Sequence, residues 1–132
     1  MGGYSAIMMG MKHPEVFSAV YAMSPCCLGM EAAWTEWHSK MPLEIVATYG
    51  TNLLQLRGLF IDYGMEDDFS HIPVTARLFS QKLPQLGVPH TLAAYRGDHS
   101  DHIRERLETS ALPFFSQVLA AEKDETTLTK VP

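Results

Sequence analysis

The chain has 132 residues, of which 46% are hydrophobic and 19% charged, so it is long and apolar enough to bury the core of one domain. Its net charge of -5 argues against nucleic acid or an anionic membrane surface as a partner. No stretch reaches the roughly 20 apolar residues that a membrane-spanning helix needs. The two cysteines, Cys26 and Cys27, are adjacent, which disfavours a structural disulfide between them or a zinc site built on them. The sequence leaves the compartment undetermined.

The first predicted element is a buried helix. It starts at the glycine pair at residues 2–3, where small side chains let a helix pack closely, and it ends before Pro14, which disfavours helical backbone ahead of it. Residues 18–23 are mostly apolar and run into a Ser-Pro turn, a pattern that predicts a short strand buried on both faces. Residues 30–40 have helical content, and residues 43–56 are interpreted as a loop with one short helix.

The second half of the chain continues the alternation of helix and strand. Residues 58–64 and 90–95 predict two further strands, separated by a helix expected over residues 73–86 and capped by Gly87. Pro84 lies late in this helix, at a position where a proline can end it early. A last helix is expected from residue 103 to residue 121. Helices that alternate with short apolar strands predict an α/β fold, in which helices cover a parallel sheet.

Two loops that follow predicted strands carry the residues best suited to chemistry. In an open parallel sheet, reactive groups gather beyond the carboxyl ends of the strands. The loop after the second strand contains Gly64-x-x-Asp67, and the loop after the third contains Gly97-x-His99. A carboxylate and an imidazole at adjacent strand ends can form an Asp–His pair, in which the carboxylate fixes the tautomer and stabilises the imidazolium. Such a pair needs a nucleophile, which neither loop supplies.

The motifs together resemble the C-terminal half of an α/β-hydrolase from the esterase group that includes S-formylglutathione hydrolase, feruloyl esterases and the antigen 85 mycolyltransferases. Members read G-x-S-M-G-G at the nucleophile elbow, and residues 1–3, Met-Gly-Gly, match the last three letters. Residues 62–69 resemble the acid loop of the group, and residues 95–100 resemble its histidine loop. The order of serine turn, acid and histidine is that of α/β-hydrolases. The resemblance covers residues 1–121 and leaves 122–132 as a polar tail that is expected to fray.

The resemblance implies part of an α/β-hydrolase fold: a three-stranded parallel portion of the sheet with flanking helices. It implies a serine carboxylic-ester hydrolase that works through an acyl-enzyme, without a cofactor or metal, on a small-molecule ester or thioester. It assigns Asp67 as the triad acid, His99 as the base and the backbone N–H of Met1 as an oxyanion donor. The nucleophilic serine would stand just before Met1, so the chain alone is expected to be inactive.

Some residues offer alternatives to these assignments. Asp68 is the rival acid and His102 the rival base. Asp62 lies within a strand pattern, for which a buried and hydrogen-bonded carboxylate is the preferred interpretation. Ser5 lacks the trailing glycine of a nucleophile motif and is interpreted as an ordinary helix residue. Ser24 closes a strand, where it could touch a ligand, but turn chemistry explains it equally well.

Other functions also stay open at this point. The segment at residues 98–102, Asp-His-Ser-Asp-His, approximates the ligand spacing of binuclear metal-dependent hydrolases, although Gly97 occupies the first histidine position. A non-catalytic fragment is a further possibility, because an open sheet edge can pair with a partner or with a second copy. Trp34 and Trp37 could line an acyl pocket, yet core packing is the more common role of such a pair.

Overall fold

A computed structural model of the chain describes residues 1–26 and 40–120. The described helices and strands, in chain order, are α1 (Gly2–Lys12), β1 (Ala19–Met23), α2 (Pro42–Tyr49), β2 (Gly58–Gly64), α3 (His71–Lys82), β3 (Thr91–Tyr95), α4 (Ile103–Arg106) and α5 (Leu112–Val118). The predicted helix that carries Trp34 and Trp37, and the predicted polar tail, lie outside the described residues. Among the residues that are described, no helix is long and apolar enough to cross a membrane.

Within the described part of the chain, three strands form a parallel sheet in the order β1-β2-β3. The central strand, β2, pairs with both neighbours: Ile61 lies opposite Ala22 of β1 and Leu92 of β3. Parallel pairing aligns the carboxyl ends of all three strands at one edge of the sheet. The predicted α/β fold is therefore confirmed, and the loops that follow β2 and β3 begin side by side.

One face of the sheet carries the main core: α1 and α3 pack on the strands, and α2 packs against both of these helices. Side chains alternate along a strand, so Val20, Leu59 and Ile61 point to this face. The buried residues that the helices contribute are Ile7, Met8, Met11, Ile45, Val46, Ile72, Ala76, Phe79 and Leu83. This three-helix layer removes the apolar face of the sheet from water, which is the main source of stability in such a fold.

The opposite face of the sheet is covered by α5 through an aromatic cluster. Tyr21 and Phe60 stack with their ring centroids 4.7 Å apart, and Phe114 meets Phe60 edge-on at 5.7 Å. Phe115 extends the cluster, with its centroid 5.1 Å from that of Phe114. Gly58 makes this approach possible, because a Cβ there would lie 2.9 Å from the Phe114 ring.

The structure corrects the interpretation of residues 43–56 as mostly loop. The segment forms α2 and, directly after it, a 3₁₀-helix at Gly50–Gln55. Pro42 occupies the first turn of α2, where a proline is favourable, and Ile45, Val46 and Leu53 are buried against the sheet layer. Burial in the tertiary structure thus selects a helix in a segment whose local pattern is ambiguous.

Prolines shape the ends of the last two predicted helices. The helix expected over residues 73–86 starts two residues earlier, at His71, and ends early, as the position of Pro84 predicted. A separate 3₁₀-turn follows at Pro84–Leu86, since Pro84 lacks the N–H that would continue the α-helix. Gly87 ends that turn with a φ of 72°, in the predicted capping role. The last predicted helix is interrupted by a π-turn at Leu107–Ala111, which precedes Pro113 in the first turn of α5.

Strand β1 is less buried than predicted. Its residues alternate between buried and half-buried, whereas a strand covered on both faces would be buried throughout. The reason is position: within the described residues, β1 lies at an edge of the sheet, with β2 on one side.

We expect Leu83→Ala to lower the free energy of unfolding by about 2–5 kcal/mol, because it removes buried methyl groups and leaves a cavity. Leu83 is 0% exposed at the end of α3. The matched control is Leu78→Ala on the same helix, where the side chain is 46% exposed and the change should stay within about 0.5 kcal/mol. Urea unfolding followed by circular dichroism measures both, and equal losses would contradict this description of the core.

Candidate active site

The loop after β2 places Asp67 against His99, which lies in the loop after β3. Oδ2 of Asp67 is 3.0 Å from Nδ1 of His99, and Oδ1 of Asp67 accepts the backbone N–H of Phe69 at 2.9 Å. The carboxylate of Asp67 is fully buried, and the His99 side chain is 32% exposed. An ionised carboxylate can only accept, so this hydrogen bond requires a proton on Nδ1 and, in a neutral imidazole, leaves the lone pair on Nε2. A general base needs this tautomer.

Backbone hydrogen bonds join the two loops independently of that pair. The N–H of Met65 donates to the carbonyl of Tyr95 at 2.9 Å, and the N–H of Glu66 donates to the carbonyl of Gly97 at 3.0 Å. Gly64 at the end of β2 permits this contact, because a Cβ there would lie 2.5 Å from the Gly97 oxygen. The loops therefore hold the side chains of Asp67 and His99 at a set separation.

The histidine loop is a tight turn closed by its own carboxylates. Gly97 has a φ of 136°, and a Cβ at this position would lie 2.7 Å from Oδ2 of Asp101. Asp101 accepts the N–H of Asp98 at 3.0 Å, and Asp98 accepts the N–H of Ser100 at 2.9 Å. These carboxylates are used in the turn, and the described residues contain no group of three or more His, Cys, Asp or Glu side chains that could hold a metal ion.

The rival residues lie apart from the Asp67–His99 pair. Asp68 is exposed. His102 caps the start of α4 with a φ of 57°, and its Nδ1 is 3.1 Å from Oε2 of Glu105 on the surface. Ser5 is an exposed residue within α1, as expected of an ordinary helix position.

A cavity of about 270 Å³ opens beside His99 and is also lined by the start of the chain. The lining residues are Met1, Gly2, Gly3, Tyr21, Met23, Ser24, His99, Ser100, Ile103 and Arg106. Gly3 brings the first turn of α1 against the turn that follows β1, because a Cβ there would lie 2.5 Å from the Met23 oxygen. The N-terminal turn of α1 and the imidazole of His99 thus share one cavity.

Beneath this cavity lies a buried ion pair between Asp62 and Arg106. The sequence predicted the burial of Asp62 but not its partner. Asp62 is 3% exposed, as the buried-carboxylate interpretation predicted, and Arg106 is 5% exposed. Arg106 binds Asp62 in a fork: Nη2 donates to Oδ1, and Nε donates to Oδ2 at 3.2 Å. Asp62 also accepts the hydroxyl of Tyr21 at 2.7 Å and the N–H of Ser24 at 3.0 Å. The sequence analysis missed Arg106, because an arginine in a predicted helix is usually exposed to solvent. One signal pointed to such a partner: a buried carboxylate such as Asp62 requires a cation or several hydrogen-bond donors.

Ser24 and Tyr95 complete this buried network. Ser24 has a φ of 40°, unusual for a residue other than glycine, and its hydroxyl accepts Nη2 of Arg106 at 3.0 Å. The oxygen of Tyr95 accepts Nη1 of Arg106 at 2.8 Å and lies 2.9 Å from the Ser24 hydroxyl. The turn after β1 is thereby bonded to the ends of β2 and β3.

The two tyrosines of the network have raised pKa values. Burial raises the pKa of Tyr21, and the hydrogen bond to Asp62 and its negative charge raise it further. Burial also raises the pKa of Tyr95, against the opposing effects of the Ser24 hydrogen bond and the Arg106 charge. Both hydroxyls therefore stay protonated and able to donate throughout the neutral range.

We expect the stability of the fold to fall as the pH rises above about 10. In the unfolded chain the tyrosines begin to lose their protons near the ordinary pKa of 10.0, whereas folded Tyr21 and Tyr95 retain theirs. The unfolded state then binds fewer protons than the folded state, so the free energy of unfolding decreases with pH. Urea midpoints measured across the alkaline range test this.

The matched variants are Tyr21→Phe and Tyr95→Phe. In each of them, the free energy of unfolding should decrease less steeply as the pH rises above about 10. Tyr49→Phe is the control, because Tyr49 is 39% exposed and lies outside the network. An alkaline decrease of the same steepness in all three variants would contradict the assignment.

Comparison with known proteins shows the family and the fold of the chain. A family model described as "Putative esterase" matches residues 1–118. The solved structure of a ferulic acid esterase matches 89% of this chain with a TM-score of 0.69 and 23% sequence identity, a likeness that shows a shared fold. The chain covers 49% of that structure, so it spans about half of that protein's length. Because the family model extends over most of its residues, the chain belongs to the Putative esterase family, as its motifs predicted.

Proposed function

We propose that this chain carries the acid and the base of a serine carboxylic-ester hydrolase. In this proposal Asp67 orients His99, and Nε2 of His99 takes a proton from a serine hydroxyl. The observation that supports the assignment is the 3.0 Å hydrogen bond between the buried Asp67 carboxylate and Nδ1 of His99. Membership of the esterase family supports the reaction class.

The surroundings of the pair suit a base that gains a positive charge during the reaction. When Nε2 takes a proton, the imidazolium is stabilised by the Asp67 carboxylate, which is shielded from water. Phe69 contributes on two sides: its N–H holds the second oxygen of Asp67, and its ring meets that of His99 edge-on at 5.4 Å. These contacts limit rotation of both side chains away from the pair.

The position of α1 supports the other half of the proposal. A serine directly before Met1 would stand at the edge of the cavity that His99 lines, and the backbone N–H of Met1 would be the oxyanion donor. Within residues 1–26 and 40–120, the side-chain hydrogen bond of the His99 ring is the one from Nδ1 to Asp67. We therefore propose that the chain is inactive alone and acts together with a segment that supplies the serine.

The proposed reaction runs in two balanced halves. The serine oxygen attacks the ester carbonyl while His99 takes its proton; the alcohol then leaves with that proton, and an acyl-serine remains. Water attacks the acyl-serine by the same route and releases the acid. The proposed substrate is a small-molecule ester or thioester.

A chimera tests the proposal. The part of the ferulic acid esterase that precedes the region matched by this chain is joined to Met1, with a serine placed directly before Met1. We expect the chimera to hydrolyse p-nitrophenyl acetate and the 132-residue chain alone to show no turnover above background. Robust turnover by the isolated chain, blocked by a serine-directed fluorophosphonate, would contradict the proposal.

Variants of the chimera test the proposed roles of Asp67 as the acid and His99 as the base. Asp67→Asn should lower kcat by about 10,000-fold, because the amide favours the wrong tautomer of the imidazole, and His99→Gln should cost at least as much. The matched control is His102→Gln, the same change in the same loop, which should leave kcat within about twofold. Loss of activity in the control but not in His99→Gln would reverse the assignment of the base.

A second function, association through the edge of the sheet, is favoured by one observation. Within the described residues β1 pairs with β2 alone, and an apolar groove of about 250 Å³ runs beside it. Phe17 and Met9 in this groove are 41% and 47% exposed. An open edge is self-complementary about a two-fold axis, so the occupant proposed for it is a second copy of this chain.

Light scattering coupled to size exclusion tests this association. We expect a species larger than a monomer that shifts to monomer in Ala19→Lys, because a charge in the groove opposes edge pairing. Val74→Lys is the control, since Val74 is 48% exposed on α3. A monodisperse monomer for the unaltered chain at all concentrations would count against self-association.

A further inference from the structure

The hydroxyl of Tyr95 lies where the histidine loop leaves the sheet. Tyr95 is the last residue of β3, and its hydroxyl donates to the carbonyl of Asp98 at 2.8 Å, with the carbonyl of His99 at 3.4 Å. Its oxygen accepts Nη1 of Arg106 at 2.8 Å. One hydroxyl therefore connects the backbone on both sides of the Asp98–His99 peptide bond to a buried cation.

The Arg106 side chain, which donates to the Tyr95 hydroxyl, is held in place by several hydrogen bonds. Both oxygens of Asp62 bind the Arg106 guanidinium, so that side chain cannot rotate without breaking a bidentate ion pair. The second amino group of Arg106 also donates to the Ser24 hydroxyl at 3.0 Å. Arg106 thus presents Nη1 to Tyr95 in a set direction. Because the tyrosine oxygen accepts that bond, its own proton is directed to the loop carbonyl.

Two hydrogen bonds hold the backbone of the histidine loop just before His99. The carbonyl of Gly97 accepts the N–H of Glu66. The carbonyl of Asp98, which belongs to the peptide bond that leads into His99, accepts the Tyr95 hydroxyl. Loss of the second hydrogen bond would let the peptide between Asp98 and His99 rotate and carry the imidazole away from Asp67.

We propose that Tyr95 is a positioning residue for His99, held by the Arg106–Asp62 ion pair and acting through the backbone of the histidine loop. This proposal rests on the function proposed above, in which His99 is the base. It also links that base to the turn at Ser24, which packs against the first turn of α1. The same network therefore sets the distance between the imidazole and the start of α1.

The tautomer of His99 provides a readout that does not depend on esterase activity. Ring-nitrogen NMR of the 132-residue chain, with the His99 signals assigned by His99→Gln, measures the fraction protonated at Nδ1. We expect the unaltered chain to be protonated at Nδ1 and to show a slowly exchanging Nδ1 proton, because Asp67 accepts that bond. In Tyr95→Phe we expect a mixture of tautomers and rapid exchange of the proton, with the circular dichroism spectrum retained.

The matched control is Tyr63→Phe, the same loss of a hydroxyl from a buried tyrosine on the neighbouring strand β2. It should leave the His99 tautomer unchanged. A purely structural role for Tyr95 would lower the urea midpoint but leave the tautomer of the folded protein as it is, and that result would overturn the proposal.

The NMR results also distinguish a failure of the positioning role of Tyr95 from a failure of the proposed function, in which His99 is the base. If the unaltered chain lacks the Nδ1-protonated form, the proposed Asp67–His99 pair itself fails. If the form is present and Tyr95→Phe does not change it, only the positioning role fails.

Should Tyr95→Phe not fold, Arg106→Lys replaces it. Lysine keeps a positive charge opposite Asp62 but loses the planar fork that reaches Asp62, Ser24 and Tyr95 together. We expect a partial shift of the His99 tautomer in this variant, and an unchanged tautomer would overturn the proposal.

Discussion

The buried ion pair between Asp62 and Arg106 is the interaction on which the rest of the site depends. Two charges removed from water gain little net stability, but they impose geometry, because each must keep all of its hydrogen-bond partners. Here those partners lie at the ends of all three described strands: Ser24 after β1, Asp62 itself on β2, and Tyr95 on β3. The ion pair consequently fixes the edge of the sheet from which the loops that carry Asp67 and His99 emerge.

Above this ion pair, the site is assembled mainly by the backbone. The acid loop donates main-chain hydrogen bonds to the carbonyls of Tyr95 and Gly97, and Gly64 allows this close approach, which a side chain would prevent. Gly97 leaves room for Asp101 inside the histidine loop. Gly3, like Gly64, allows a close approach where α1 meets the turn after β1. Close backbone contacts hold side chains with little freedom, and a catalytic base needs such restriction to stay aligned with its acid. Each of these three glycines thus provides space for a close contact around the candidate site.

Membership of the esterase family and the geometry of the Asp67–His99 pair both support the proposed ester hydrolysis. A buried carboxylate bonded to one imidazole nitrogen leaves the other nitrogen as a base beside a cavity, and an ester hydrolase uses that combination. The chain spans about half of the ferulic acid esterase that it resembles. Its start lies at the same cavity, so the proposed nucleophile would complete the site from the α1 side.

The sequence by itself determined the alternation of helices and strands that makes an α/β fold, the two loops that carry Asp67 and His99, and the burial of Asp62, because periodicity, glycine spacing and strand position are local signals. The tertiary structure decided the rest. It selected Asp67 over Asp68 as the partner of His99, folded the ambiguous segment at residues 43–56 into helices, and paired Asp62 with an arginine 44 positions away. Each of these outcomes depends on which residues meet across the sheet, and contacts between distant positions leave no periodic pattern in the chain.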